Sequence, residues 1–244
     1  MGPGEAAGAA AVLFAAYFVR ALAGFGSGLI AVPLLAHFQP LTLVVPVVMA
    51  LDFAASFLIG RVGGSRTDWS EIRILLPFGL MGALFGAWAL VRFPSRPILL
   101  ALGLFTLVFG LRNLLGVQAS GRISRLWAIP AGLIGSSAGA LFGTSAPPYV
   151  VYLTHRLDDK TAVRATFSWL FVIDGGARLL LLAAAGLFAA ADTRIALALG
   201  LLPMLAGLYL GNRVHLGISR DRMLRAIGLI LVASAASLLS RVFA

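Results

Sequence analysis

Four ionisable side chains lie deep inside apolar stretches of this chain: Arg20, Asp52, Asp174 and Arg178. A charge at the middle of a bilayer costs about 2.5–3.5 kcal/mol on insertion scales, so such groups face an interior and take partners. Asp174 and Arg178 stand four residues apart with the acid first, one turn of helix. They read either as a structural ion pair or as a proton carrier beside a cation that aids an anion. Arg20 has no acid close by in sequence, and Asp52 is the nearest partner in its half. Either residue can line an aqueous path.

Beside these charges the apolar runs break. The first break is Gly24-Phe-Gly-Ser-Gly-Leu-Ile-Ala-Val-Pro33, and the second is Gly139-Ala-Leu-Phe-Gly-Thr-Ser-Ala-Pro-Pro148. Backbone N–H and C=O groups freed by a break cannot face lipid, so protein, water or a ligand must satisfy them. A second helical limb starting near Ser27, and another near Thr144 and Ser145, would aim free N–H groups and partial positive charge at one point. That is the chemistry of an anion site, with the hydroxyls of Ser27, Thr144 and Ser145 as further donors. Gly24, Gly26, Gly28 and Gly143 would let the backbone approach the ligand closely. Pro33 and Pro147/Pro148 are expected early in those limbs, where a missing N–H costs least. The competing reading is packing: Gly24/Gly28, Gly82/Gly86, Gly135/Gly139/Gly143 and Gly207/Gly211 follow the small-xxx-small spacing of close helix contact.

The elements holding these residues must be membrane helices. Of 244 residues 60% are apolar and 11% charged, which excludes an ordinary globular domain and a disordered chain. The apolar stretches are continuous rather than alternating, which excludes a strand barrel. Eight segments result: 8–38, 41–60, 74–91, 98–115, 126–153, 161–188, 195–211 and 224–239. The first and fifth carry the breaks and read as re-entrant hairpins. Leu75-Leu-Pro77 with Gly82 and Gly86 is repeated as Leu201-Leu-Pro203 with Gly207 and Gly211. The fold expected is therefore an all-α integral membrane protein of two four-segment repeats, 1–117 and 118–244, each a broken hairpin followed by three transmembrane helices.

Loop charge orients the halves. With both hairpins returning to the side they enter, Arg61, Arg66, Arg73, Arg112, Arg122, Arg125, Arg156, Lys160, Arg164, Arg213, Arg220, Arg222 and Arg225 share one face. Arg92, Arg96, Arg194 and Arg241 remain on the other. Such an excess marks the cytoplasmic face. It inverts the second half relative to the first and puts both termini outside the cytoplasm. The net charge of +10 is thus loop charge rather than a nucleic-acid surface. Residues 1–8 lack the basic start of a signal peptide, so the first apolar run is expected in the mature protein.

Without cysteine there is no disulfide or thiolate site, and His37, His155 and His215 lack ligand spacing. No metal or other cofactor is expected. Trp69, Trp88 and Trp127 suit interfacial anchors, whereas Trp169 reads as core and Asp158-Asp159-Lys160 as a solvated loop.

Ala23-Gly-Phe-Gly-Ser-Gly-Leu-Ile-Ala-Val-Pro33 resembles the opening signature of the TauE/SafE sulfite-exporter family. Gly132-Leu-Ile-Gly-Ser-Ser-Ala-Gly-Ala-Leu-Phe-Gly-Thr-Ser-Ala-Pro-Pro148 resembles its second-half signature, and Arg164-Ala-Thr-Phe-Ser168 the stretch that follows. Thr144-Ser145-Ala146 departs from the pattern, where more glycine is expected. The resemblance implies a carrier of the bacterial inner membrane for sulfite, an organosulfonate such as sulfoacetate, or a related sulfur oxyanion. The substrate site is then Arg20, Gly24, Gly26, Ser27, Gly28, Gly143, Thr144, Ser145 and Arg178, with Asp174 and Asp52 as proton-coupling candidates and membrane lipid as the other partner. An anion channel using the same turns is the first alternative. An intramembrane enzyme is the second, though only Asp52 and Asp174 are available as bases.

Overall fold

The computed structural model describes residues 3–23, 26–59, 66–116, 121–213 and 220–243. Gly24, expected at the site, lies outside them, as do Arg61 and His215. Ten α-helices account for nearly all of the described chain: α1 (Pro3–Ala23), α2 (Ser27–Leu35), α3 (Leu41–Ile59), α4 (Trp69–Arg92), α5 (Ser95–Leu115), α6 (Ala128–Phe142), α7 (Ala146–Arg156), α8 (Lys160–Ala184), α9 (Ala191–Arg213) and α10 (Arg220–Phe243). A short helix after a glycine turn, followed by three long helices, occurs twice: α2 before α3–α5 and α7 before α8–α10.

The caps follow local chemistry. Asp68 accepts from the backbone N–H of Ser70 at 2.9 Å and of Glu71 at 3.2 Å, which starts α4. Asp159 accepts from the N–H of Thr161 at 2.9 Å and starts α8. Asp159 also pairs with Arg66, and Asp158 with Arg122, on exposed side chains, so the solvated acidic loop is also a cap with two ion pairs. The two breaks centre on glycines in the left-handed region, Gly26 at φ +102° and Gly143 at φ +65°. The equivalent of Gly143 is therefore Gly26, although laying Gly24–Pro33 on Gly139–Pro148 pairs Gly143 with Gly28, because only the residue at the reversal needs a positive φ.

Among the described residues five helices are long and apolar enough to cross a bilayer: residues 4–22, α4, α5, residues 161–184 and α9. By contrast α2, α6 and α7 hold 9, 15 and 11 residues. At 1.5 Å per residue each falls well short of a ~30 Å hydrocarbon layer. The first broken element is thus lopsided, a 21-residue α1 followed by a 9-residue α2, rather than a hairpin of two similar limbs. Pro33 is the seventh residue of α2, past the first turn, whereas Pro147 and Pro148 do open α7 as expected.

Packing pairs exchange when the halves are exchanged. α1 lies on α9 as α6 lies on α4, α3 lies on α9 as α8 lies on α4, and α5 pairs with α10. Glycines make these contacts close. A Cβ on Gly82 would stand 2.4 Å from the Leu133 carbonyl oxygen and one on Gly86 2.7 Å from that of Ser137, so α4 and α6 run parallel. On α9, Gly207 and Gly211 meet the carbonyl oxygens of Phe14 and Phe18 in the same sense. These four glycines are packing glycines, as their spacing predicts. Gly103 meets Leu239 and Gly110 meets Val232, so α5 and α10 are antiparallel.

Outward faces are apolar: Met81, Leu84, Phe85 and Trp88 on α4 and Leu199 and Leu202 on α9 are all exposed. In water such a surface would exceed what monomeric proteins tolerate, and in lipid it is solvated. Trp69, Trp88 and Trp127 are exposed near helix ends, as read. Trp169 is only half-buried, with its ring 5.4 Å from that of Trp69.

Candidate functional site

The two breaks touch. Gly28, in the first turn of α2, faces Gly143 so closely that a Cβ would lie 2.3 Å from the Gly143 carbonyl oxygen. Around this contact the structure assembles two buried charge clusters, one from each half. In the first, Arg20 Nη1 of α1 lies 3.0 Å from Asp52 Oδ1 of α3 and 2.9 Å from Ser27 Oγ. The Ser27 hydroxyl donates to Asp52 Oδ1 at 2.6 Å. Arg20 Nη2 donates to Ser56 Oγ at 2.7 Å and to the Asp52 carbonyl at 3.2 Å. Asp52 is the partner that sequence order assigned to Arg20. Burial without such bonds would strand two charges in a medium that solvates neither.

The second cluster sits on α8. Arg178 Nη2 approaches Asp174 Oδ2 at 3.1 Å without lining up as a hydrogen bond, and Ser136 of α6 donates to Asp174 Oδ1 at 2.7 Å. Arg178 Nε donates to the Asp174 carbonyl at 3.3 Å. Asp174 is 0% and Arg178 2% exposed, so the pair is sealed from solvent. Gly139 makes room for it: a Cβ there would fall 1.4 Å from Arg178 Nη1.

The clusters are variations on one plan. Each half has an aspartate midway along its central helix with a side chain four residues on, Asp52/Ser56 and Asp174/Arg178. Each receives a second residue from the long helix before the break, Arg20 or Ser136. Arginine and serine have traded places, so each half keeps one of each beside its acid.

Between the clusters is a cavity of about 10 Å³, lined among others by Asp52, Gly143, Ser145, Phe171 and Arg178. The Arg20 guanidinium lies 5.8 Å from the centre of the ring of Phe171, one of the lining residues. Among the described residues, three buried polar atoms of the second half have no hydrogen-bond partner: Ser145 Oγ, Tyr149 Oη and Asp174 Oδ2. Unsatisfied groups of this kind are rare in native interiors.

The structure thus gathers Arg20, Ser27, Gly28, Asp52, Gly143, Ser145 and Arg178 around one point, with Gly26 at the turn, Thr144 buried beside Ser145, and Asp174 directly behind. The α7 N-terminus offers fewer N–H groups than two symmetric helix ends would, because Pro147 and Pro148 occupy its second and third positions. Ser56, Ser136 and Tyr149 were missed. The only signal for the first is its place four residues after Asp52, as Arg178 stands four after Asp174. Among the described residues no group of three or more His, Asp or Glu could hold a metal ion.

Against known proteins, the family model for the sulfite exporter TauE/SafE matches residues 9–238, nearly the whole chain. The chain belongs to the TauE/SafE sulfite exporter family. Within the TauE/SafE frame both breaks and both charge clusters fall inside the matched region. The chain is also similar to the probable inner membrane transporter protein TsaS of Comamonas testosteroni, at 32% identity over 193 residues, 78% of this chain and 80% of the relative. No solved structure matches. Family, relative and apolar helices together make this a helical membrane transporter.

Proposed function

We propose that the protein carries a small sulfur-containing oxyanion, sulfite or an organosulfonate such as sulfoacetate, out across the bacterial inner membrane by alternating access. The observation that carries this reading is the meeting of the two breaks beside Arg178, Ser145 and Asp52, at the middle of the central helices α3 and α8. The three oxygens of a sulfite or sulfonate head need several donors converging from one side. Arg178, Ser145 and the N-terminus of α2 supply them, with Arg20, Ser27 and Thr144 around them.

Residues 1–117 and 118–244 act as inverted halves, with both termini outside the cytoplasm. The antiparallel α5/α10 crossing and the exchange of packing pairs support this arrangement. The cavity of about 10 Å³ has room for one water and none for an oxyanion. Loading then requires the surrounding helices to part, which favours a carrier over an open channel. A negative interior drives the anion outward, at about 2.3 kcal/mol per charge per 100 mV. Asp174 is the proton-coupling candidate, because its carboxylate is buried behind Arg178 with one oxygen unsatisfied. Asp52 is the weaker one, since Arg20 and Ser27 both hold it.

Thermal melts of the purified protein in detergent against sulfite, sulfoacetate, taurine, sulfate, thiosulfate, acetate and chloride test the reading. A ligand at 100 times its Kd stabilises a two-state protein by about 2.7 kcal/mol, a visible shift. Selective stabilisation by sulfite or a sulfonate is expected. Stabilisation by cations or neutral solutes alone would overturn it.

A further inference from the structure

Away from the breaks lies a fifth buried charge. Glu71, in the first turn of α4, is 1% exposed and lies outside the 74–91 segment marked by hydropathy. Its carboxylate is ringed by donors from other elements. The Tyr152 hydroxyl of α7 donates to Oε2 at 2.6 Å, and Arg156 at the end of α7 donates to Oε1 through Nη2 at 3.0 Å and Nε at 3.2 Å. Arg125, in the short 3₁₀ turn before α6, adds a contact at 3.4 Å and also bonds Ser70 Oγ. Arg156 in turn donates to the Ile123 carbonyl. One carboxylate thus ties the ends of α7 and α4 to the segment leading into α6.

The position of α7 gives this knot a purpose. Its first residues follow Ser145 at the cavity, and its last is Arg156 in the knot. Ser145, Tyr149, Tyr152 and Arg156 are spaced by four, three and four, so one face of an 11-residue helix runs from the candidate site to Glu71. Tyr149 on that face fits only because position 79 of α4 is glycine, where a Cβ would meet its hydroxyl at 2.8 Å. The other half differs at the corresponding place. Beyond the end of α2 lies a cleft of about 590 Å³ lined by Phe38, Gln39, Ser95 and Leu99. Asp192, the acid in the first turn of α9, is exposed.

We infer that Glu71 is a positioning residue for transport: its bonds to Tyr152 and Arg156 hold α7 closed over the site on the basic-loop face, and their release opens the site to that face. The inference rests on the alternating-access reading above but not on the identity of the cargo. A buried carboxylate with this many donors is a two-state latch. It is strong when the donors are docked and costly to leave docked on one side only.

The test uses site-directed accessibility, which the absence of native cysteine makes clean. A single cysteine replaces Met49, which lines the cavity. A membrane-impermeant maleimide is applied to right-side-out and inside-out vesicles, without substrate. Glu71→Gln is expected to raise labelling at least fivefold from the cytoplasmic face and leave the opposite face unchanged. An unchanged rate, or an equal rise from both faces, overturns the latch, the latter showing general loosening. If Glu71→Gln does not give a folded protein, Tyr152→Phe removes only the 2.6 Å bond and must still give a one-sided rise. A failed anion panel with one-sided labelling would sink the cargo and keep the gate.

Discussion

Gly139→Ala probes the second charge cluster through its neighbour rather than by removing a charge. A Cβ at position 139 would lie 1.4 Å from Arg178 Nη1 and 2.6 Å from its Cζ. Since ordinary contact is about 3.5 Å, the guanidinium must retreat by about 2 Å. The adjoining cavity of about 10 Å³ cannot take it, so Arg178 must abandon its 3.1 Å approach to Asp174. Asp174 is then a fully buried carboxylate with Ser136 as its one remaining side-chain donor. Breaking one side of a buried pair costs about 3–5 kcal/mol. At roughly 2–4 °C per kcal/mol for a chain of this size, a loss near 3 kcal/mol lowers the melting temperature by about 6–12 °C. The assay is thermal melting in detergent of Gly139→Ala, Asp174→Asn and the double variant. The double variant should lose at least ~1 kcal/mol less than the sum, because no carboxylate is left stranded. A Gly139→Ala protein that melts like the parent, or losses that add within about 0.5 kcal/mol, would refute the packing of Arg178 against Gly139.

Other outcomes are expected of the same sites. Ser145→Val should weaken oxyanion binding with little change in stability, because Ser145 Oγ has no partner to lose. Ser27→Val should cost about 2 kcal/mol or more, since it removes bonds to both Arg20 and Asp52; melts and ligand shifts on both variants separate the two serines. Asp174→Asn should flatten the pH dependence of transport in liposomes, and undiminished transport with an unchanged pH profile would remove Asp174 from coupling. Hydrogen bonds from Thr161 and Arg66 hold the Asp159 carboxyl below its usual range; Asp68, despite the opposing effect of burial, is lowered by Ser70 and Glu71. A depressed carboxyl adds stability above its unfolded value and loses it as pH falls through the folded one. Acid melts should therefore decline below the ordinary carboxylate range, and less steeply in Asp159→Asn.

Much of this protein is legible in its sequence because membrane physics leaves few options. Long apolar runs with few charges admit only helices, so the six unbroken segments at 41–60, 74–91, 98–115, 161–188, 195–211 and 224–239 each correspond to one helix, α3, α4, α5, α8, α9 and α10. Glycine spacing marked the close crossings at Gly82/Gly86 and Gly207/Gly211, and intramembrane charge marked Arg20, Asp52, Asp174 and Arg178 as residues in need of partners. Family membership was legible too, since its signatures are the breaks themselves.

Tertiary structure decided what depends on position in space. Hydropathy cannot say which glycine reverses the chain, because Gly26 and Gly28 differ in φ and not in composition. It cannot find Glu71 or Ser136, whose hydrogen-bond partners lie 81 and 38 residues away, or Tyr149, which packs against Gly79 of another helix. Nor can it place Gly28 against Gly143, the contact that turns two separate breaks into one site. Burial in lipid is a property of a segment and is written locally. The pairing of buried charges is a property of the packed bundle, because each helix satisfies its own backbone but leaves its polar side chains to be satisfied by another.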